Sequence, residues 1–383
     1  MKHLILTSAI LAALTAPIGA ETLTIGTATA QTGGLAYADV PTMQGMKLAV
    51  EEINAAGGID GATKIVLLEK DVRSDPAQTS IAAQELADAG VSVIVLPGDS
   101  DPALAAIGVV SSAEIPAIST VASSPTLPEI GGDYMFSNFP GDNVQAAVSA
   151  KWAWDEGYKT AWIVYSPDTQ YTTMPLYFRD VFKKLGGEML GESTNTIGQQ
   201  DFSAIATTIA AQDPQPDLVM TSAYEPDFPS MLIALRAAGV TSQVIGSDGI
   251  DSPTTFSLGD VGENVVFTTA GFATKGSPLE AFDKAFEQKY GTAPESIYSA
   301  VGYDLIKVIE AAVIVAGSTE PKKIRDAMAD LENVQGATGL ITYKGTNGMP
   351  VRQVSLIRVK DGGRELVGQP SPDANLIPAP RMQ

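Results

Sequence analysis

The sequence has no cysteine and a single histidine among its 383 residues. That histidine is His3, at the head of a short apolar leader, so a chain processed behind the leader carries neither thiol nor imidazole. Such a chain cannot run a Ser-His-Asp triad, use a cysteine nucleophile, hold zinc through Cys or His, or form a disulfide. Chemistry would have to rest on carboxylates, Lys, Tyr, Ser or a bound cofactor. Basic residues are scarce too: 24 Lys plus Arg stand against 44 Asp plus Glu, a formal net charge of −20. That field repels nucleic acid and anionic membrane, so neither is expected as a partner. Long apolar runs are missing behind the leader. The strongest, residues 311–316, is flanked by Glu310 and Glu320 and falls far short of the ~20 residues that span a bilayer.

The leader itself, Met1 to Ala20, has the pattern of a cleavable secretory signal. Lys2 and His3 precede an apolar run from Leu4 to Leu14, Pro17 breaks it, and Ile18-Gly19-Ala20 offers a small-residue cleavage site. The expected product starts at Glu21 and is free in a periplasm. No cysteine follows the leader, so a lipid anchor is not expected.

Behind the leader, strand and helix patterns alternate. Residues 22–27 alternate as a strand, and Met43, Met46, Val50 and Ile53 recur at helical spacing up to the stop at Gly57-Gly58. Strands 64–71, 91–96 and 117–119 then alternate with helices 76–89 and 103–113. A second series runs through helix 143–156, strand 160–165, helix 171–185, strand 189–193, helix 202–212, strand 217–221, helix 226–238 and strands 243–246 and 265–268. Three helices, 278–290, 297–316 and 321–331, and two strand-like runs, 339–343 and 351–359, close the pattern. The tail 369–383 holds four prolines and is expected to be an extended wrap or disordered. Alternation of this kind predicts right-handed βαβ crossovers and parallel sheets covered on both faces, here in two lobes. No Pro/Gly/Ser linker separates the series, which suits interleaved lobes better than beads on a string.

Several segments, taken in order, resemble the type I periplasmic solute-binding proteins of the branched-chain amino acid transport class. They are TIGTATAQTGG from Thr24, GMKLAVEEINAAGGIDG from Gly45, residues 71–77 with the DPAQ that starts at Asp75, residues 119–127, GSDGIDSP from Gly246 and KYGTAPESIYSAVGYD from Lys289. The resemblance implies an α/β fold of two Rossmann-like parallel-sheet lobes joined by three crossings, with a ligand cleft between them. It divides the chain into a first lobe of 21–139 plus 271–340 and a second of 140–270 plus 341–368. It also implies delivery of the ligand to an inner-membrane ABC permease, by a protein expected to be a monomer that holds no cofactor and no metal.

Ligands of open parallel sheets collect beyond the carboxyl ends of the strands. Five loops qualify: 31–39, 97–102, 120–125, 223–227 and 247–252. In the loop PGDSDP, Ser100 and free backbone N–H groups ahead of a helix suit a carboxylate, with Asp101 beside them. By the resemblance, Ala122 and Ser123 supply a backbone group and a hydroxyl to an amino acid's carboxylate and ammonium, with Ser where Thr is commoner. The resemblance also places Asp248 against the ligand's ammonium and Tyr224 as a donor or stacking ring, with Tyr37 and Tyr171 as pocket walls. Without it, Ser123 could equally cap a helix through Pro125, Asp248 could satisfy its own turn, and the tyrosines could be core.

None of the five loops holds Lys or Arg, while Asp39, Asp99, Asp101, Glu225, Asp227, Asp248 and Asp251 all lie in them. Neutral donors would then hold a ligand carboxylate, and the acid bias favours a zwitterionic or cationic ligand. The expected function is capture of an amino acid by hinge closure. A cationic amine, a urea-like amide or an aromatic carboxylate stays open as the ligand on the same fold.

A carboxylate-based hydrolase is the alternative from another class, and the residues speak against it. Tyr303 and Lys307 make a YxxxK, but no G-x-G-x-x-G opens a helix after the first strand. Asp99 and Asp101 at i, i+2 are common spacing in an acidic chain, and no G-x-S-x-G elbow exists.

Overall fold

A computed structural model describes residues 21–167 and 173–381. The expected leader, 1–20, therefore lies outside the described residues. The chain runs β1 (Thr22–Thr29), α1 (Ala36–Ala55), β2 (Lys64–Asp71), α2 (Pro76–Asp88), β3 (Val93–Leu96), α3 (Ser100–Leu104), α4 (Ile107–Ala113), β4 (Ala117–Ser119), α5 (Thr126–Gly131) and β5 (Met135–Ser137). These five strands form an all-parallel sheet in the order β2-β1-β3-β4-β5. β3 shows why both its faces must be covered. Val93 and Val95 enter the cluster on one side and Ile94 and Leu96 the cluster on the other, the period-2 alternation of a strand with no wet face.

The chain then crosses to a second sheet through α6 (Asp142–Asp155), β6 (Thr160–Tyr165), α7 (Met174–Leu185), β7 (Glu188–Thr194), α8 (Ser203–Ala210), β8 (Leu218–Thr221), α9 (Asp227–Ala237), β9 (Gln243–Gly246), α10 (Pro253–Phe256) and β10 (Val266–Thr269). It returns through α11 (Pro278–Tyr290), α12 (Tyr298–Ala316), α13 (Pro321–Asp330) and the small hairpin β11 (Val334–Gly336) and β12 (Gly339–Ile341). Leu305 and Ile309 of α12 and Met328 of α13 pack with Leu23 and Ile25 of β1 and Met43 and Met46 of α1. The chain crosses again to add β13 (Ser355–Lys360) and β14 (Gly363–Gly368) to the second sheet, whose order is β14-β13-β10-β9-β8-β6-β7.

In both sheets the strand order reverses once, between β1 and β3 and between β6 and β8. Those reversals open crevices at the carboxyl ends of the strands, where all five candidate loops begin.

Helices α1 and α12 meet without a side chain between them. A Cβ on Gly45 would lie 1.7 Å from the Ser299 carbonyl oxygen, and one on Gly302 would lie 2.0 Å from that of Thr42. Glycine at both positions lets the backbones touch and brings the first turns of both helices to the same edge of the first sheet.

Several elements depart from the sequence reading. The helix expected over 103–113 is two pieces, α4 from Ile107 and α3 from Ser100, the latter starting early because the Asp99 carboxylate accepts from the Asp101 N–H. α5 and β5 were not expected. The strand expected over 351–359 is β13 alone, with Val351 in an isolated bridge to Thr342. β13 pairs antiparallel with β10 and β14 antiparallel with β13, so the second sheet is parallel only up to that edge. A two-residue turn, Asp361-Gly362, with both residues at positive φ, folds the chain back in the manner of a tight hairpin. The described tail is an extended wrap. Leu376 and Ile377 pack on the core around α6 and α7, and the Asn143 side chain donates to Pro378 O at 2.8 Å.

Candidate functional site

The candidate loops of the two lobes meet. Tyr37, one residue into α1 on the first lobe, stacks on Tyr224, beyond β8 on the second, with ring centroids 5.9 Å apart and planes at 19°. Tyr298, the first residue of α12, meets Tyr37 edge-on at 6.2 Å and Phe139 at 6.3 Å. The Tyr298 hydroxyl donates across the lobes to Asp248, to the main-chain oxygen at 2.9 Å and to Oδ2 at 3.3 Å. Ser100, Ala122, Ser123, Tyr224 and Asp248 are each less than 10 % exposed, so the lobes are closed over them. Asp101 and Tyr37 are half-buried. Tyr171 lies outside the described residues.

Asp248 begins a short 3-10 turn after β9, held by the Ser247 hydroxyl on Gly249 N and by Asp251 N on Asp248 O. Burial pushes its carboxyl up to about 7, and the nearby charge of Asp142 pushes the same way against hydrogen bonds from Gln145 and Tyr298. Asp142, at the start of α6, is itself pushed up to about 6 by burial, although the Ser123 and Thr173 hydroxyls hydrogen-bond to it. Among the described residues neither carboxylate forms an ion pair with Lys or Arg. The two buried acids thus feel each other's charge, with hydroxyls and an amide around them and no cation paired to either among the described residues.

The remaining expected residues divide by what they already hold. Ser100 is buried at the start of α3, and its hydroxyl has no hydrogen-bond partner among the described residues. Ala122 is spent locally, its N–H on the Ser119 hydroxyl and its carbonyl on that of Ser137. Ser123 ties the first lobe to the second, since its carbonyl accepts from Asp142 N at 2.8 Å and its hydroxyl meets the Asp142 carboxylate. Tyr224 is a neutral phenol, its ionisation pushed upward by burial and by Asp99, Asp227 and Asp101.

The seven loop carboxylates do not form one cluster. Asp39 knits the first lobe's strand ends, accepting from Ala30 N at 2.8 Å, Gly98 N at 3.0 Å and the Thr120 hydroxyl at 2.8 Å; burial raises it to about 6. Asp227 accepts from Gly198 N, and Glu225 pairs with the Ser252 hydroxyl. Asp251 binds Arg364 of β14, with Nε 2.6 Å from Oδ1. A base therefore does reach these loops, from a strand that the sequence reading had not placed. Asp99 is raised to about 7 by burial, with Asp101 and Asp39 adding to it. Asp142, Gln145, Thr173 and Tyr298 are the members of the site that the sequence reading did not name. Among the described residues no group of acids or histidines is arranged to hold a metal ion, and no helix is long and apolar enough to cross a membrane.

Comparison with known proteins agrees in extent along the chain. A family model described as periplasmic binding protein matches residues 22–364. Curated relatives include the Leu/Ile/Val-binding protein BraC3 of Rhizobium johnstonii, 28% identical over 365 residues that cover 93% of this chain and 97% of the relative. Similar solved structures include a leucine binding protein, LivK, from Thermotoga maritima, with TM-score 0.83 and 25% identity over 91% of this chain and 99% of that one. The branched-chain amino acid transporter substrate binding protein LivJ of Streptococcus pneumoniae, in complex with isoleucine, gives TM-score 0.80 and 25% identity over 91% of this chain and 100% of its own.

Proposed function

Because this chain belongs to the periplasmic binding protein family, we propose that it is the solute-capturing component of an ABC transporter, closing two lobes around one amino acid. The lobes of this reading are 21–139 with 271–340 and 140–270 with 341–368. The cargo passes to an inner-membrane permease, and the working protein is a periplasmic monomer that begins at Glu21 and carries no lipid. Its relatives are named for binding, not for turnover, and no catalytic role is assigned to any residue.

The observation that carries the amino-acid reading is the pair of buried carboxylates, Asp248 and Asp142, with no Lys or Arg paired to either among the described residues. An ionised carboxylate out of water is costly unless a positive charge meets it. A ligand ammonium in reach of Asp248 supplies that charge, and the contact is strengthened by the low dielectric of a closed cleft. The ligand's own carboxylate goes to neutral donors, of which the unspent Ser100 hydroxyl at a strand end is the best placed. Tyr37, Tyr224 and Tyr298 form the apolar wall, and Tyr171 is assigned to the same wall. Ser123 and Asp101 complete the proposed contacts, and Ala122, whose N–H and carbonyl are already bonded, backs them as part of the wall.

A second reading has one observation behind it. Asp99, raised to about 7, lies close enough to Tyr224 to affect its ionisation, as does Asp101. That adds negative potential on the first-lobe side and suits a cationic amine without a carboxylate. A thermal-shift panel of the twenty amino acids, simple amines, betaines, urea-like amides and aromatic acids separates the readings. A ligand of the native state raises the melting temperature by mass action. Saturable stabilisation by an amino acid supports the first reading and by an amine alone the second. A panel in which only amides or aromatic acids act removes the role given to Asp248.

A further inference from the structure

The turn that carries Asp248 is fastened to the opposite lobe at a second point, and that point is not in the ligand cluster. Asp251 is 1 % exposed and follows β9 on the second lobe. Its Oδ2 accepts from the backbone N–H of Ile297 at 3.1 Å. Ile297 is the N-cap of α12, which packs on β1 and α1 of the first lobe. α12 provides no side-chain cap at that residue and no acid in its first turn; Ser296 serves the next N–H, that of Tyr298, at 3.3 Å. The first orphan donor of a 19-residue helix in one lobe is therefore satisfied by a carboxylate of the other.

Arg364 completes the arrangement. Its Nε and Nη2 lie 2.6 and 2.5 Å from Asp251 Oδ1, and Nη2 also donates to the Glu295 carbonyl at 2.7 Å. Its guanidinium sits over the Phe256 ring, 4.3 Å from the centroid. The arginine thus aims the carboxylate and itself reaches the first lobe. Tyr298, next to Ile297, holds the other end of the same turn through Asp248 O.

We propose that Asp251 and Arg364 form a cross-lobe cap, in which closing the lobes delivers Asp251 to the N-terminus of α12 and so sets how firmly the closed form is held. A helix N-terminus with its donors unmet and its dipole unopposed favours an incoming carboxylate. In the open form that partner is withdrawn, and Asp251 keeps only Arg364. The cap acts on the closed population and not on the ligand, so Asp251 and Arg364 are positioning residues. Their removal speeds ligand escape while leaving the chemistry of the Asp248 contact unchanged. The proposal rests on the reading of the protein as a two-lobe solute trap.

The test is hydrogen exchange at the Ile297 amide in the full chain, wild type against Asp251→Ala and Arg364→Ala, with and without L-leucine, using an α12 interior amide such as Ile309 as control. The expected result is a loss of about tenfold or more in protection at Ile297 in Asp251→Ala, a smaller loss in Arg364→Ala, and no change at Ile309. L-leucine is expected to leave both variants about tenfold faster, with the pH profile of binding kept. Equal protection of Ile297 in wild type and Asp251→Ala when both are saturated with ligand overturns the cap. If L-leucine binds none of the three proteins, the amino-acid reading suffers, and the same exchange comparison with the compound that the thermal-shift panel selects decides the cap. Asp251→Asn, which keeps the shape and one acceptor, covers the case where the alanine variant does not fold.

Discussion

Asp248 concentrates what the residue scale can say about function. Its carboxyl, raised to about 7 by burial and by Asp142, must ionise to meet an ammonium, so binding and deprotonation are linked. Affinity for an amino acid should hold above pH 7 and fall by roughly tenfold per pH unit below it. Asp248→Asn should flatten that slope, and Asp248→Ala should weaken binding by roughly 2 to 5 kcal/mol. Calorimetric titration from pH 5 to pH 8 checks both, and an unaltered slope in the Asn variant would remove Asp248 from the contact. Asp248 and Tyr224 were readable in the sequence as candidates, because each stands just beyond an apolar strand, where a parallel sheet gathers its ligands, and each matches the pattern of the family the chain resembles. Asp142 was not, since an acid after Gly141 at a helix start has an ordinary reading of its own. Tyr298 was not, because its value lies in a contact across lobes that local pattern does not encode.

At the scale of elements, strand and helix periodicity marked the alternating core of both sheets, while short pieces and edges escaped it. β5 has three residues, too short a run to show a period, and β14 has six but none of them buried, so no apolar face alternates along it. The Asp361-Gly362 turn is the local signal for β14, the strand that carries Arg364 to Asp251. The α1–α12 contact gives an element-level prediction. Alanine would ordinarily favour a helix over glycine by about 0.8 to 1.0 kcal/mol, but a Cβ at Gly302 would meet the Thr42 carbonyl at 2.0 Å. Overpacking should win, so Gly302→Ala is expected to destabilise by about 1 to 3 kcal/mol and to displace Tyr298 from Tyr37. Chemical denaturation measures the first effect, and an unchanged midpoint would mean that the helices are free to part.

For the whole molecule, the buried acids set how stability depends on pH. Asp39 and Asp142 are raised to about 6, and Asp99 and Asp248 to about 7, from an ordinary aspartate value of 3.8. Between about pH 4 and pH 7 the folded chain therefore holds protons that the unfolded chain has released, and stability falls as pH rises through that window. Self-repulsion of a net charge of −20 acts in the same direction. The ligand-free melting temperature should accordingly be higher at pH 5 than at pH 8. A bound amino acid should shrink the difference, because its ammonium favours the ionised form of Asp248. A melt that rises steadily from pH 5 to pH 8 without ligand would show these carboxylates to be ionised in the fold.

The central claim is that a buried acid of one lobe meets the positive charge of a solute trapped between two. Calorimetric titration at pH 8 with amino acids and their deaminated carboxylic acid counterparts, side by side, tests it most directly. The account predicts one-to-one binding of an amino acid, no detectable binding of the same molecule without its amino group, and recovery of the ligand unchanged. Equal binding of the deaminated acid would contradict it.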